Sequence, residues 1–145
     1  MKAIIHIDGG ARGNPGVSGA GIVLRGADDQ PLVEAGYYLG HQTNNVAEYT
    51  ALLKALEAAK RAGATQLVIH SDSELLVRQI NGEYRVRNPA LKDLFDDAFG
   101  RLRGFEKWEV RHVRREQNVR ADELANLAMD ACDDVVEVDE AGPGE

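Results

Sequence analysis

The apolar residues of this 145-residue chain first change their period near residue 45, and that change constrains the fold more than any other feature. Before it they alternate. Residues 3–8, Ala20–Arg25 and Leu32–Leu39 have strand-like spacing. The links are short: a glycine-rich turn from Gly9 to Gly16, then Asp28-Asp29-Gln30-Pro31. Three strands joined this way predict an antiparallel meander. After the change, Ala51, Leu52, Ala55, Leu56 and Ala59 recur at helical spacing within 47–62, with Asn45 and Glu48 resembling a capping box and Gly63 a stop. Gln66–Ser71 is a short strand with a solid Leu67-Val68-Ile69 centre, as burial on both faces requires. Ser73 caps an expected helix over 74–80, and Asn88-Pro89 opens a third helix with a stripe of Leu91, Leu94, Phe95, Ala98, Phe99 and Leu102. Trp108–Val113 alternates as a fifth strand, and a last helix is expected over 119–131.

The order β-β-β-α-β-α-α-β-α reads as one α/β domain over 1–131. Strands 1 and 4 have a helix between them, so a right-handed crossover can pair them in parallel. The carboxyl ends of such strands are the usual place for a site. Residues 132–145 read as an acidic tail, with two readings: a loose solubilising segment, or an added edge strand at Val135-Val136-Glu137-Val138. Seven acids and no Lys or Arg lie in 130–145, so the net charge of −7 belongs to the tail. The rest of the chain is neutral and can still carry a basic face for nucleic acid. No apolar run is long enough to cross a membrane, and Met1–Asp8 does not read as a signal peptide. The single Cys132, read as a semi-buried residue on the last helix, allows no internal disulfide and fits a reducing cytoplasm.

Four acids fall near element ends on one edge of this arrangement. Asp8 closes strand 1, Asp72 closes strand 4, and Glu48 and Asp122 lie in the first turns of their helices. Singly, each reads as a cap or turn residue. Together they would repel strongly, and hard divalent cations such as Mg²⁺ resolve that repulsion.

Four segments carry these acids: Asp8-Gly9-Gly10-Ala11-Arg12-Gly13-Asn14-Pro15-Gly16, Thr43-Asn44-Asn45-Val46-Ala47-Glu48, His70-Ser71-Asp72-Ser73, and Asn118-Val119-Arg120-Ala121-Asp122-Glu123-Leu124-Ala125. In this order and spacing they resemble type 1 ribonuclease H, over about residues 3–130. The resemblance implies a ribonuclease H-like fold, with a five-stranded mixed sheet flanked by helices. It implies endonucleolytic hydrolysis of the RNA strand of RNA/DNA hybrids. Asp8, Glu48, Asp72 and Asp122 would be catalytic ligands of two Mg²⁺ or Mn²⁺ ions about 4 Å apart, and the products would be 5′-phosphate and 3′-hydroxyl ends. A hybrid exposes 2′-hydroxyls in a wide, shallow minor groove. By similarity, Gly9, Gly10, Asn14, Asn44 and Asn45 would read it. Thr43 and Asn88 match two positions of a pocket for a DNA-strand phosphate, and His41 stands at a third that is often Arg.

The chain also departs from the family. The link from Tyr84 to Pro89 has no room for the basic helix of well-known bacterial members and keeps only Arg85 and Arg87, so hybrid affinity is expected to depend on the remaining cations. The loop Val113-Arg114-Arg115-Glu116-Gln117-Asn118 lacks the histidine that many members place before the last acid. Arg115 is expected to hold the scissile or departing phosphate instead, since an arginine cannot shuttle protons near neutrality. His112 in the preceding strand is read as structural, and Glu74 as an acid that disfavours phosphate. A monomer is expected. Cleavage of duplex RNA, a silent hybrid-binding module and another clustered-acid nuclease of the same fold class remain the rival readings.

Overall fold

The computed structural model describes residues 1–142 as β1 (Lys2–Arg12), β2 (Gly16–Arg25), β3 (Pro31–Gln42), α1 (Asn44–Arg61), β4 (Gln66–Ser71), α2 (Glu74–Ile80), α3 (Pro89–Leu102), β5 (Lys107–His112), a 3₁₀ turn (Arg115–Gln117), α4 (Val119–Ala131) and β6 (Val135–Asp139). The last three residues of the expected tail lie outside the described residues. The strands form one mixed sheet in the order β5-β4-β1-β2-β3-β6. β1, β2, β3 and β6 pair antiparallel, while β1, β4 and β5 pair in parallel. No helix is long and apolar enough to cross a membrane among the described residues.

Alternation along β1 decides which side chains meet which helices. A Cβ on Gly9 would lie 2.3 Å from the carbonyl of Ala47, so that face of the sheet carries α1. Ala3, Ile5 and Ile7 share the face by period-two spacing and are fully buried. They pack with Ile22 and Leu24 of β2 and with Leu52, Ala55 and Leu56 of α1 in the main core. His6 and Asp8 point to the opposite face, which α4 covers. There Asp8 stands beside Gly21 of β2, and Gly21 beside Gly36 of β3.

Those two glycines, with Gly19, form a trough for α4. A Cβ would come within 1.9 Å of the Ala121 carbonyl at Gly21, 2.1 Å of the Leu124 carbonyl at Gly36, and 2.7 Å of the Ala125 carbonyl at Gly19. The helix therefore lies with its backbone against the strands, and this close approach brings Asp122 over β1. Glycine inside a strand often marks such an approach.

Several expectations need correcting. β1 does not end at Asp8: Gly9 to Arg12 stay paired with Ala20 to Val17, and the turn is confined to Gly13-Asn14-Pro15. The cap of α1 is Thr43, whose Oγ1 accepts the Val46 N–H, so no capping box forms at Asn45 and Glu48 lies past the first turn. The sheet has six strands, not five. Of the two readings of the acidic run, the added edge strand is the one that forms, and the segment is held from three sides. Its strand pairs with Val33–Gly36, and the Tyr38 N–H donates to Asp134. Arg61 donates to Asp139 and to the Gly142 carbonyl, and Ala141 is buried in the core. Acid-rich composition left the loose reading open beside this strand, because an edge strand tolerates charge on its open side. Cys132 is exposed, in a left-handed conformation just past α4, rather than semi-buried on it.

Candidate metal centre and cleft

The register of β1 against β4 puts the first two acids side by side. Ile7 pairs with Ser71, so Asp8 and Asp72 follow at adjacent positions where β4 stops and β1 continues. Beyond that point β4 has no carbonyl left for the Gly9 N–H, and the Glu48 carboxylate accepts it instead. The missing Cβ of Gly9 permits the contact, because any larger residue would push α1 and Glu48 away.

Ligand oxygens of Asp8, Glu48 and Asp72 lie within 4.8 Å of one another. Asp8 and Glu48 are buried, and the second oxygen of Glu48 has no hydrogen-bond partner. Asp122 of α4 faces Asp8 within hydrogen-bonding reach. Among the described residues, no Lys or Arg forms an ion pair with any of the four. The electrostatic consequence is large. Burial, then the charges of Glu48, Asp72 and Asp122, push the Asp8 carboxyl far above the usual carboxylate range. Burial pushes Glu48 up to about 8, helped by Asp72 and opposed by the Gly9 N–H. Four hard oxygen donors without a cationic partner, one of them orphaned and buried, fit divalent cations such as Mg²⁺ or Mn²⁺.

The acids open into a cavity of about 740 Å³ lined by Gly9, Gly10, Arg12, Asn44, Asn45 and Arg115 among others. Gly10 has open space where a Cβ would stand. Asn14 and Asn44 tie the glycine-rich turn to α1: the Asn44 N–H donates to Asn14, and the Ala11 N–H donates to Asn44 at 2.7 Å. Asn45 is exposed at the rim. Arg115 is exposed and opens the 3₁₀ turn before Asp122. Thr43 and Asn88 do not line the cavity; they cap α1 and α3, Asn88 accepting from Ala90 and Leu91. Glu74 is engaged by Arg78 at 2.9 Å. His112, read as structural, is exposed at the end of β5 and lines the same cavity.

Sequence reasoning missed three residues. Arg12 forms an ion pair with Asp130 at 2.7 Å and donates to Asn126 at 3.1 Å. Asn126 in turn donates to the Asp122 carbonyl. Asn118 is 1% exposed and donates to the Ile7 carbonyl. The i, i+4 spacing of Asp122, Asn126 and Asp130 could have signalled the first two. Nothing local signalled the reach of Asn118 to a strand 111 residues away.

The Reverse transcriptase-like family matches residues 6–128. A bifunctional protein of Mycobacterium tuberculosis is 42% identical over 91% of this chain, which spans 36% of that relative's length. The chain likewise spans 63% of the ribonuclease HI of Halobacterium salinarum, at 42% identity. Among solved structures, RNase H1 of Halobacterium salinarum superposes with a TM-score of 0.88 at 40% identity, covering 90% of this chain and 99% of that one. LC11-RNase H1, solved in complex with an RNA/DNA hybrid, gives 0.85 at 41% identity, covering 90% and 98%.

Proposed function

The chain belongs to the type 1 ribonuclease H family, and from that premise we propose that it hydrolyses the RNA strand of RNA/DNA hybrids with two divalent cations, leaving 5′-phosphate and 3′-hydroxyl ends. The observation that carries the proposal is the convergence of Asp8, Glu48 and Asp72 within 4.8 Å, with Asp122 alongside. These four would hold Mg²⁺ or Mn²⁺. When bound, such a pair supplies an activated water and charge stabilisation at the departing 3′ oxygen.

The remaining residues position the substrate. Gly10 leaves backbone open to a ribose. Asn14 and Asn44 each spend their side-chain oxygen inside the protein, which leaves their Nδ2 donors for 2′-hydroxyls and groove edges; Asn45 at the rim does the same work. Gly9 gives its N–H to Glu48 and so contributes by fixing a ligand rather than by touching sugar. Thr43 and Asn88 sit at helix N-termini, where a DNA-strand phosphate is favoured by the helix dipole, and His41 offers a third contact. Arg115 steadies the scissile phosphate. All four carboxylates come from one chain, so a monomer suffices to build the centre. One thiol and no disulfide suit a reducing cytoplasm.

The test is cleavage of labelled RNA/DNA hybrid, duplex RNA and duplex DNA with Mg²⁺ or Mn²⁺, beside Asp8→Asn, with the product ends mapped. RNA cut only in the hybrid, with 5′-phosphate ends and no cleavage by Asp8→Asn, is expected. Cleavage without a divalent cation, or of the DNA strand, overturns the proposal. Comparable cutting of duplex RNA would widen the substrate class.

A further inference from the structure

Asn118 occupies the N-cap position of α4, where an asparagine side chain ordinarily accepts an N–H from the first turn of its own helix. Here it makes no such bond. Its Nδ2 crosses to β1 and donates to the Ile7 carbonyl at 2.8 Å. That carbonyl belongs to the peptide unit whose nitrogen is that of Asp8. At the same time the Asn118 carbonyl accepts the Asp122 N–H at 3.1 Å. One residue is therefore bonded to the peptide preceding one metal-binding acid and to the amide of another.

The side chain is fixed in this role. It is 1% exposed, and its Oδ1 is buried without a partner. Turning the amide over would set that oxygen against the Ile7 carbonyl, so only the observed orientation works. A helix that forgoes its cap, and leaves a buried oxygen unpaired, gains nothing locally from the arrangement. What it gains is registration of α4 against β1. The contact lies on the N-terminal side of Asp122, and Arg12, bonded to Asn126 and Asp130, ties the same two elements on the C-terminal side. Asp122 is the one acid of the four whose element is neither β1, its parallel neighbour, nor the helix that caps the β1 backbone at Gly9. It has the most need of an external tether.

We propose that Asn118 is a positioning residue that sets the separation of Asp8 and Asp122, and through it the affinity of the centre for divalent cations. The inference rests on the reading of those acids as metal ligands. Partners that orient ligands in this way typically change metal affinity or activity by about 10–100-fold when removed.

The experiment compares wild type, Asn118→Ala, the milder Asn118→Ser, and Arg61→Ala as a stability control remote from the centre. Four quantities are read: kcat and KM on hybrid, the Mg²⁺ concentration giving half-maximal kcat, and the Mg²⁺ midpoint of binding without substrate, fitted from the rise of Tm with Mg²⁺ concentration. For Asn118→Ser, and for Asn118→Ala if it folds, a rise of about tenfold in both Mg²⁺ midpoints is expected, with kcat at subsaturating Mg²⁺ reduced and KM for hybrid held within about twofold. Arg61→Ala should lower Tm without moving either midpoint. Unchanged midpoints in a folded Asn118→Ser, or an effect confined to KM, overturn the inference. A wild type whose Tm and activity ignore Mg²⁺ would instead overturn the metal-centre reading beneath it.

Discussion

Two regions of this molecule are rich in acid and have opposite physics. At the open end of β1 and β4, four carboxylates converge, two of them buried, and none is paired with a base among the described residues. Around β6 the acids are exposed and spread out, and those that make contacts find ordinary partners: Asp139 with Arg61, Asp134 with the Tyr38 N–H, and Asp130 with Arg12. The second region carries the net charge of the chain and no evident chemistry. The first carries the mutual repulsion of carboxylates that no base offsets. Acid count is therefore a poor guide to function; convergence without compensation is the informative property.

The contrast breaks most sharply on substitution. Asp8→Asn is expected to lower Mg²⁺-dependent cleavage of hybrid by at least about a thousandfold. In metal-free protein the same change should raise Tm, by about 3 °C, because it removes a carboxylate that burial and three neighbouring acids disfavour. Differential scanning calorimetry beside a cleavage assay checks both halves. Removing an acid from the β6 region should produce neither effect.

The next largest effect concerns the trough under α4. Gly21→Ala drives a methyl into the Ala121 carbonyl and should cost about 3 kcal/mol in chemical denaturation, with loss of activity as Asp122 is displaced. Deleting residues 133–145 should cost less, about 2 kcal/mol or 6 °C in Tm, through the lost β3–β6 pairing and the loss of Ala141 from the core; KM for hybrid should stay within about twofold. Asp130→Asn removes one exposed ion pair and should change stability by less than about 1 kcal/mol.

The two regions also differ in how legible they were. The period change near residue 45, the strand at 66–71 and the capped helices at Ser73 and Asn88 follow from spacing and cap chemistry, and the fold bears them out. The four acids were legible because each sits in a distinctive local segment. The extension of β1 through Gly9 and Gly10 was not, because glycines read as a turn until the partner strand is known to continue beside them. Gly19, Gly21 and Gly36 carry no local signal of their role, because its reason is a helix supplied from residue 119 onward. Asn118 was legible only as part of its segment, and its bond to the Ile7 carbonyl is long-range. β6 was outweighed by its own charge. In each case a tertiary contact, rather than a local preference, decided the outcome.

Proton linkage gives the most direct test of the central claim. Without metal, Glu48 titrates near 8 in the folded protein and near the ordinary carboxylate value when unfolded. Folded protein thus holds a proton that unfolded protein has released, so this contribution to stability is full below about pH 4.5 and lost as pH rises through about 8. Divalent cation must displace that proton and the one on Asp8, whose carboxyl burial and neighbouring acids also push up. The decisive measurement is calorimetric titration of metal-free protein with Mg²⁺ at pH 7 in two buffers of different ionisation enthalpy, beside Asp8→Asn. The account predicts saturable binding with proton release and a Tm that rises with Mg²⁺ in wild type, both lost in the variant. Binding without proton release, or equal binding by Asp8→Asn, would contradict it.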